Sequence, residues 1–381
     1  MHLLLEILGA ASLVLALAGS AYQVLAAARI AAFRSPPLAG SAAESPAVTL
    51  LKPLHGAEPG LEAALRSGLD QDYPGEVQMV LGVQDPADPA LDAAKALRAA
   101  YPARDVVVVA DPTPHGANRK IANLINMAPR ARHGLIVLSD SDIAVRPDYL
   151  RRVVAALSEP GVGVVTCPYY GEGRAGFWSR LAAMGLTYQF LPSVAVGVTL
   201  GLATPCMGST IALSGETLAR IGGFEAFADL LADDYAIGAA VRALGLRSVV
   251  APVLVAHGCA EATLGDVVRH ELRWALTVRG VDPAGFFGSG VTHAIPLALL
   301  GVLFTAAAPA ALAVLAIALI CRLWTMRQVD EAAGIARGGW LLAPARDILS
   351  FAIFAGSFFV RAVEWRGTRF RVDPQGALER I

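Results

Sequence analysis

The chain has 381 residues, of which 55% are hydrophobic and 17% are charged, and its formal net charge is −1. Soluble domains carry roughly 25% charged residues, so this deficit indicates that lipid covers part of the surface. A nearly neutral chain has no global field that would recruit nucleic acid. The four cysteines are widely spaced without a CxxC pair, which indicates neither a disulfide framework nor a zinc site and suits a reducing compartment.

The first long apolar segment lies near the N-terminus. Residues 7–28 carry no charge and are long enough to cross a bilayer, which needs about 20 residues. Arg29 and Arg34 follow this segment, whereas no Lys or Arg precedes it. The positive-inside rule therefore predicts an uncleaved transmembrane anchor over residues 1–33, followed by a domain that faces the cytoplasm.

Between residue 47 and about residue 258, short apolar runs alternate with helical stretches. The predicted strands are 47–52, 77–83, 105–110, 134–138, 162–167, 209–213 and 248–255. The predicted helices are 60–67, 89–100, 118–127, 147–157 and 233–244. Apolar strands that alternate with helices are typical of an open, mostly parallel α/β sheet buried on both faces. In such sheets, ligands bind beyond the carboxyl ends of the strands.

Two polar residues lie where this sheet would bind a ligand. Asp85 lies just past the second predicted strand, where a carboxylate can accept hydrogen bonds from a base edge or a ribose. The following proline leaves a simple turn as the alternative. Lys120 begins a predicted helix after a glycine turn, and both lysines and helix N-termini favour phosphate. A solvated helix start explains Lys120 equally well.

Asp140 and Asp142 follow an apolar strand with one serine between them. Carboxylates at this spacing face the same way as long as the chain stays extended. Mg²⁺ is commonly held by one or two carboxylates together with substrate phosphates. The sequence therefore predicts a metal site on a diphosphate, with a polar turn before the next helix as the alternative.

Residues 181–215 are also free of charge, and they lie between two acidic clusters that we expect to share one site. A single membrane crossing would separate those clusters, so this stretch is predicted to cross either not at all or twice. We favour a helix that lies on the membrane near the point where a lipid would enter. Ordinary buried core is the alternative.

Asp233 and Asp234 open a predicted helix, and the simplest interpretation is capping, because aspartate is a favoured N-cap residue. One aspartate can cap while the other points at chemistry. Adjacent carboxylates disfavour double ionisation, which can raise one pKa toward the range of a general base.

His270, Arg273 and Trp274 follow on a further helical stretch. An arginine can bind phosphate oxygens through two parallel hydrogen bonds, and a tryptophan offers a flat face to a sugar. A juxtamembrane anchor explains Arg273 and Trp274 equally well.

The C-terminal part begins with a second uncharged run, residues 283–321, which is about twice the length of one span and has Pro309 near its middle. It predicts a transmembrane hairpin over residues 287–326.

The third candidate, within the last predicted region 338–381, is interrupted by Arg346 and Asp347. It either lies in the membrane interface or crosses with these two charges paired against protein. The basic and aromatic tail from Arg361 indicates a cytoplasmic interfacial anchor.

Taken in order, these features resemble the family-two type of nucleotide-sugar glycosyltransferases, and within it the ceramide glucosyltransferase group. That group's pattern is an aspartate after an early strand, a DxD-like motif, a later aspartate and a (Q/R)xxRW motif. The matching residues here are Asp85, Asp140 with Asp142, Asp234, and Arg273 with Trp274. His270 departs from the pattern, because it stands where Gln or Arg is usual.

A finer resemblance links the chain to bacterial hopanoid-biosynthesis glycosyltransferases. It rests on residues 51–56 (LKPLHG), 82–89 (GVQDPADP), 115–120 (HGANRK), 208–213 (GSTIAL) and 231–235 (LADDY). This resemblance implies transfer of N-acetylglucosamine from UDP-N-acetylglucosamine to bacteriohopanetetrol by a multi-pass enzyme of the inner (cytoplasmic) membrane, with UDP-glucose as the other candidate donor.

The resemblance also implies the fold and the roles of individual residues. Residues 45–282 would form a GT-A nucleotide-diphospho-sugar transferase domain in the cytoplasm, with transmembrane helices on both sides of it in sequence. Asp142 would hold Mg²⁺ or Mn²⁺ on the diphosphate. Asp234 would take the proton from the lipid hydroxyl, so that in-line attack inverts the anomeric carbon. Arg273 would stabilise the leaving diphosphate and Trp274 would line the acceptor pocket. The remaining residues that would bind the UDP-sugar are Lys52, Pro53, Asp85, Lys120 and Asp140.

Three alternatives stay open at this point. A ceramide glucosyltransferase would share every motif and differ only in sugar and lipid. A processive polysaccharide synthase would need more crossings than the three or four candidates present. A transporter or non-catalytic scaffold is the third alternative, but a transporter would place polar groups within repeated spans, and no repeat is evident. A Rossmann dehydrogenase is disfavoured because no GxGxxG follows the first strand.

Overall fold

The computed structural model describes residues 2–34, 45–336, 339–360, 362–365, 368–372 and 378–380. The chain divides into two compact units. The α/β unit comprises residues 35–183 and 200–260, and the helical unit comprises residues 1–34, 184–199 and 261–381. Of the last predicted region, 338–381, residues 338, 361, 366, 367, 373–377 and 381 lie outside the described residues.

Helices occur in both units. In chain order the α-helices are α1 (His2–Arg29), α2 (Leu61–Leu69), α3 (Ala90–Ala100), α4 (Arg119–Met127), α5 (Tyr149–Leu157), α6 (Phe177–Gly185), α7 (Leu191–Thr199), α8 (Gly215–Arg220), α9 (Asp233–Ala243), α10 (Leu264–Val281), α11 (Pro283–Gly288), α12 (Ala294–Phe304), α13 (Pro309–Ala333) and α14 (Ala343–Ser357). The predicted helices of the α/β domain are confirmed to within two residues at each end.

Among the described residues, the strands form three sheets. In chain order they are β1 (Val48–Pro53), β2 (Val77–Val83), β3 (Asp105–Ala110), β4 (Leu135–Leu138), β5 (Ile143–Ala144), β6 (Val162–Thr166), β7 (Tyr169–Gly173), β8 (Ile211–Ser214), β9 (Arg247–Val250), β10 (Val255–Cys259), β11 (Ala362–Trp365), β12 (Thr368–Val372) and β13 (Leu378–Arg380). The last three pair antiparallel with one another.

The large sheet has the order β3-β2-β1-β4-β8-β6-β9. Neighbouring strands are parallel except for β8, which is antiparallel to both β4 and β6. All six residues of β1 are buried, as expected for a central strand covered on both faces. The predicted open, mostly parallel α/β sheet is confirmed, and the carboxyl ends of β1 and β4 lie side by side.

The single strand predicted over residues 248–255 is wrong. Two strands, β9 and β10, occupy this region, and Pro252 lies between them. Proline lacks the N–H that a continuing ladder needs, so pairing stops there. β9 stays in the large sheet beside β6, whereas β10 joins a small sheet of order β5-β10-β7. This change of sheet places His257 opposite Ile143, just after the Asp140–Asp142 stretch.

The charge-free stretch 181–215 has two structures. Its first part belongs to one helical run, Phe177–Thr199, which contains a π-helical turn at Leu186–Phe190 and is long and apolar enough to cross a membrane. Most of this run is buried inside the protein. Its last part includes β8, so the buried-core alternative holds there. The membrane-surface placement stays a prediction.

The helical unit contains the other candidate spans. His2–Phe33 and Pro309–Ala333 are long and apolar enough to cross a membrane, and Pro283–Thr292 with Ala294–Phe304 form a pair bent by 63° that qualifies together. A Cβ on Gly19 of α1 would lie 3.0 Å from the Cβ of Ala294. Small residues allow such close backbone approach between apolar helices. The predicted N-terminal and C-terminal apolar helices are confirmed.

The third C-terminal candidate is α14, which has 15 residues, fewer than the roughly 20 that a crossing needs. Its two charges are both paired inside the protein, Arg346 with Glu271 and Asp347 with Arg322. The pairing that the crossing alternative required is therefore present. Whether this segment crosses the membrane or lies in its interface stays a prediction.

Candidate functional site

The site begins with Lys52 near the carboxyl end of β1. Its Nζ donates hydrogen bonds to Ser139 Oγ at 3.2 Å, to the Asp140 carbonyl at 3.0 Å and to the Ile143 carbonyl at 3.1 Å. Burial lowers the pKa of Lys52 to about 8, although the nearby Asp142 and Asp140 carboxylates oppose that shift. All three ammonium hydrogens are used within the protein, so Lys52 fixes the course of the loop after β4. Its direct contact with a ligand stays a prediction, as does that of Pro53, which ends β1.

The chain turns at residues 141 and 142, where Ile143 N donates to the Asp140 carbonyl at 3.3 Å. The extended geometry that we assumed for Asp140 and Asp142 is therefore wrong, because the turn ends the strand first. The two carboxylates have different partners. Asp140 Oδ1 lies 2.7 Å from Lys120 Nζ, and Asp142 Oδ2 lies 3.3 Å from His257 Nε2.

Asp142 and His257 form the part of the site that suits a divalent cation. Asp142 Oδ1 is buried and has no hydrogen-bond partner in the described part of the chain. The His257 ring stacks on Tyr169 with 5.4 Å between centroids. Among the described residues, no three His, Cys, Asp or Glu side chains gather so as to hold a metal by themselves. The orphaned oxygen and the imidazole nitrogen fit a cation whose other ligands are phosphate oxygens and water.

His257 is a residue that sequence reasoning missed, because its spacing shows no metal-ligand pattern. It lies 115 residues after Asp142 in the chain. Only the register between β10 and β5 brings the two side chains together. The one signal available was its position, two residues beyond a predicted strand that contains a proline.

Lys120 connects the Asp140 loop to α9. Its Nζ contacts Asp140 and lies 3.5 Å from Asp233 Oδ2. Burial acts to lower the pKa of Lys120, but the carboxylates of Asp140, Asp233 and Asp234 outweigh it and raise the pKa overall. Lys120 therefore stays cationic at neutral pH. Asn118 caps α4 with its side-chain oxygen and donates to Asp233 Oδ1 at 3.2 Å, which holds the two helix starts together.

Asp234 faces the same place from α9. Its Oδ2 accepts a hydrogen bond from Gly208 N at 3.0 Å, and its Oδ1 accepts one from Tyr235 N at 2.7 Å. The capping interpretation is wrong, because Ala232 is the N-cap residue and neither Asp233 nor Asp234 occupies that position. Burial, followed by the charge of Asp233, raises the pKa of Asp234 to about 6, and Lys120 opposes the shift.

Gly208 is the point on which three of the predicted residues converge. A Cβ at Gly208 would lie 2.8 Å from Asp140 Oδ2 and 2.9 Å from Lys120 Nζ, and its N–H is already bonded to Asp234. The structure thus brings Asp140, Lys120 and Asp234 together around one glycine. Any side chain at residue 208 would occupy the space between the Asp140 and Lys120 side chains, so the position requires glycine.

Asp85 is exposed and accepts a hydrogen bond from Ala87 N at 2.8 Å, as a turn-forming aspartate does. Its predicted contact with the base or ribose stays a prediction. Sequence reasoning missed the neighbouring Asp88, which is buried and accepts hydrogen bonds from Gly56 N and Ala90 N. Burial alone would raise the pKa of Asp88, but these N–H groups and His55 lower it. Asp88 thereby fixes the loop after β1.

Arg273 and Trp274 lie on α10 in the helical unit, which begins with a capping box formed by Thr263 and Asp266. His270 precedes Trp274 by one turn, and the two rings lie 4.3 Å apart between centroids. His270 Nδ1 also lies 2.6 Å from Glu261 Oε1. The residue that departs from the motif pattern therefore supports the Trp274 ring.

Comparisons with known proteins found similar glycosyltransferases. The family model described as Glycosyl transferase family 21 matches residues 11–378. Ceramide glucosyltransferase 1 of Caenorhabditis elegans is 24% identical over 230 residues, which is 60% of this chain and 49% of that protein. Ceramide glucosyltransferase of Komagataella phaffii is 32% identical over 115 residues, 29% of this chain and 22% of that protein. The chain spans about half the length, at most, of these curated relatives.

A solved structure resembles most of the chain. It is the mannosyltransferase PcManGT from Pyrobaculum calidifontis in complex with GDP-Man and Mn²⁺, with a TM-score of 0.53 and 21% sequence identity. The likeness covers 93% of this chain and 99% of that one. At this identity it shows the fold, which is that of the GT-A glycosyltransferases with apolar helices at both ends.

Proposed function

The chain belongs to glycosyl transferase family 21, and on that premise we propose that it is an inverting membrane enzyme that moves a sugar from a UDP-sugar to a lipid hydroxyl. One observation carries the proposal: Asp140, Lys120 and Asp234 converge at Gly208. Asp142, with its orphaned oxygen beside His257, follows Asp140 in the same loop. Such a set supplies a metal ligand, a cation and a basic carboxylate.

We assign the metal to Asp142 and His257. A divalent cation bound there, Mg²⁺ or Mn²⁺, would neutralise charge on the departing diphosphate. The similar mannosyltransferase structure contains Mn²⁺ and GDP-Man, which supports this assignment. Lys120 supplies a permanent positive charge nearby, and Asp140 and Asp85 are the residues that we propose for the ribose and uracil.

Asp234 is the proposed base. A carboxyl pKa of about 6 leaves Asp234 mostly ionised at neutral pH yet basic enough to take a proton. As the lipid oxygen bonds to the anomeric carbon, that carbon's bond to the diphosphate oxygen breaks and the hydroxyl proton passes to Asp234. Attack from the opposite face converts an α-linked donor to a β-linked product. We propose that Arg273 stabilises the leaving diphosphate and that Trp274 lines the acceptor pocket.

The sugar and the lipid are the finer part of the proposal. Resemblance to the hopanoid subgroup favours N-acetylglucosamine and bacteriohopanetetrol, whereas the curated relatives are ceramide glucosyltransferases and favour glucose and ceramide. We propose the hopanoid product first and the ceramide product second. Arg29 and Arg34 after α1 support a place in the inner membrane with the α/β unit in the cytoplasm.

The test uses purified protein in detergent with UDP-N-acetylglucosamine or UDP-glucose, each offered with bacteriohopanetetrol or ceramide. Mass spectrometry is expected to show one sugar on one lipid, with UDP released only when the lipid is present. A polymer ladder would indicate a polysaccharide synthase. Intact UDP binding without any transfer would indicate a scaffold and would overturn the proposal.

The metal assignment has its own test. Asp142→Ala and His257→Ala are each expected to weaken Mn²⁺ binding by about 10-fold or more, measured by electron paramagnetic resonance of free Mn²⁺, and to reduce transfer in parallel. Asp92→Asn changes an exposed aspartate in the first turn of α3 and serves as the control. Unchanged Mn²⁺ affinity in both site variants would contradict the assignment.

A further inference from the structure

The helical unit contains a buried arginine that contacts two other segments of the chain as well as its own helix. Arg346 Nη2 donates to Glu271 Oε1 at 2.5 Å, and Nη1 donates to Ser350 Oγ at 2.9 Å. The guanidinium also lies directly against Gly185, where a Cβ would collide with it. Only 3% of the Arg346 side chain is exposed. Arg346 therefore links α14 to α10 and to the helical run 177–199.

Glu271 is the partner of interest because of where it lies on α10. It follows His270 directly and precedes Arg273 by two residues and Trp274 by three. Successive helix residues are rotated by roughly 100°, so Glu271 lies about 60° around the helix from Trp274. A directional ion pair at Glu271 therefore restrains rotation of α10 about its axis at the level of the motif.

The energetics favour an orienting role for this pair. Replacing a buried ion pair by well-packed apolar residues is often neutral or stabilising, so such a pair is weak evidence for stability alone. Its charge-assisted hydrogen bond is strongly directional, in contrast to apolar packing. The glycine at residue 185 leaves room for the guanidinium to reach Glu271.

We propose that Arg346 is a positioning residue, which through its ion pair with Glu271 sets the directions in which Arg273 and Trp274 point. The inference rests on the proposed function, because it assumes that Arg273 and Trp274 act on the diphosphate and the acceptor. Turnover would then depend on Arg346 of α14, a residue that is remote in sequence from every motif.

The test compares Arg346→Met, Arg346→Lys, Glu271→Gln and the double variant Arg346→Met/Glu271→Gln. Arg346→Met is expected to lower kcat by about 10- to 100-fold, because small misplacements of reacting groups have effects of that size. The KM for the UDP-sugar is expected to change by less than about twofold, since the lost interaction acts in the transition state. Arg346→Lys should recover part of the loss, and the double variant should be no worse than the poorer single variant.

The matched control is Arg322→Met/Asp347→Leu, which removes the neighbouring buried pair of α14 without touching α10. It should retain the kcat of the wild type in whatever fraction stays folded. A second readout needs no turnover: the fluorescence of Trp274, taken as the difference between each protein and its Trp274→Phe derivative, should shift in Arg346→Met and not in the control.

The outcomes separate the inference from the proposed function. If the wild-type protein transfers no sugar, the proposed function fails, and the Trp274 spectrum still decides whether Arg346 positions α10. A kcat of Arg346→Met equal to that of the control, with an unshifted Trp274 spectrum, would overturn the inference. If Arg346→Met does not fold, Glu271→Gln, which keeps shape and loses charge, replaces it in the same two measurements, and wild-type values in both would overturn the inference equally.

Discussion

The two units of this molecule each contain a cluster of charges, and the clusters are built differently. In the α/β unit, Asp140 is 35% exposed and Asp142 is 21% exposed, and Asp142 keeps one buried oxygen without a partner among the described residues. In the helical unit, Arg322 and Arg346 are only 4% and 3% exposed, and each is paired with a carboxylate. The first cluster is open to solvent and can accept a ligand, whereas the side chains of the second are closed off from solvent.

Charged clusters therefore serve two purposes in this chain. In an open cluster, a contact between two side chains, such as that of Asp140 with Lys120, can be replaced by a contact with a phosphate or a metal. A closed pair between apolar helices gains nothing from a ligand and instead fixes which helix faces meet. Substitutions in the first cluster should therefore reduce turnover directly, whereas substitutions in the second should act through folding or through the alignment of α10.

The largest expected effect is the loss of turnover when a residue of the open cluster is replaced. Asp234→Asn removes the proposed proton acceptor and should lower kcat by about 1000-fold, within the range known for general bases. Initial rates of lipid glycosylation measure this, and UDP binding should persist. Asp92→Asn, at the equivalent turn of α3, should leave the rate unchanged. Activity of Asp234→Asn near that of the wild type would remove the base assignment.

The closed cluster should respond in stability. Arg322→Ala leaves Asp347 buried without its cation, and we expect the free energy of unfolding to fall by about 3–5 kcal/mol. Thermal unfolding in detergent measures the change. The control is Arg327→Ala on the same helix, whose partner Glu331 is exposed, and it should cost less than about 1 kcal/mol. Equal losses in the two variants would contradict the distinction between open and closed clusters.

A smaller effect is expected at the convergence point. Gly208→Ala places a methyl group 2.8 Å from Asp140 Oδ2, so the Asp140–Lys120 pair must move and kcat should fall about tenfold. Gly215→Ala is the control, because the nearest atom to its added Cβ is 3.6 Å away. Wild-type kinetics in Gly208→Ala would show that the crowded arrangement is unimportant for turnover.

The smallest effect is the response to pH. A carboxyl whose pKa is raised gains its proton earlier as the pH falls, and protonated Asp234 cannot accept another. The rate should therefore fall to half at a pH of about 6 and continue to decrease below it. Asp233→Asn should move this midpoint downward, since the charge of Asp233 raises the pKa of Asp234. A midpoint of about 4, the ordinary range of a carboxyl, would point to another base.

Much of the fold was predictable because its signals are local. The runs 77–83 and 105–110 are short, apolar and bounded by polar residues, and β2 and β3 match them residue for residue. Pro252 also gave a local signal that β9 ends, since proline cannot continue a ladder of strand hydrogen bonds. The continuous apolar run around it nevertheless led to the wrong prediction of a single strand. The change of sheet that follows depends on pairing partners and has no local signal.

The site shows the same division. Asp140, Lys120 and Asp234 were each predicted from their positions at strand ends and helix starts, and the structure brings them together at Gly208. His257 and Asp88 were missed. Their roles come from a strand register and from a loop that folds back, and neither is visible within a short window of sequence.

Local patterns in the chain specify the α/β alternation, the apolar helices at both ends and the places where acidic residues follow strands. These depend on periodicity and composition over ten or twenty neighbouring residues. The contacts of Asp142 with His257, of Lys120 with two carboxylates and of Arg346 with Glu271 arise only when the chain folds. Each of these contacts joins distant parts of the chain, and its distance is set by strand register and helix packing rather than by local preference.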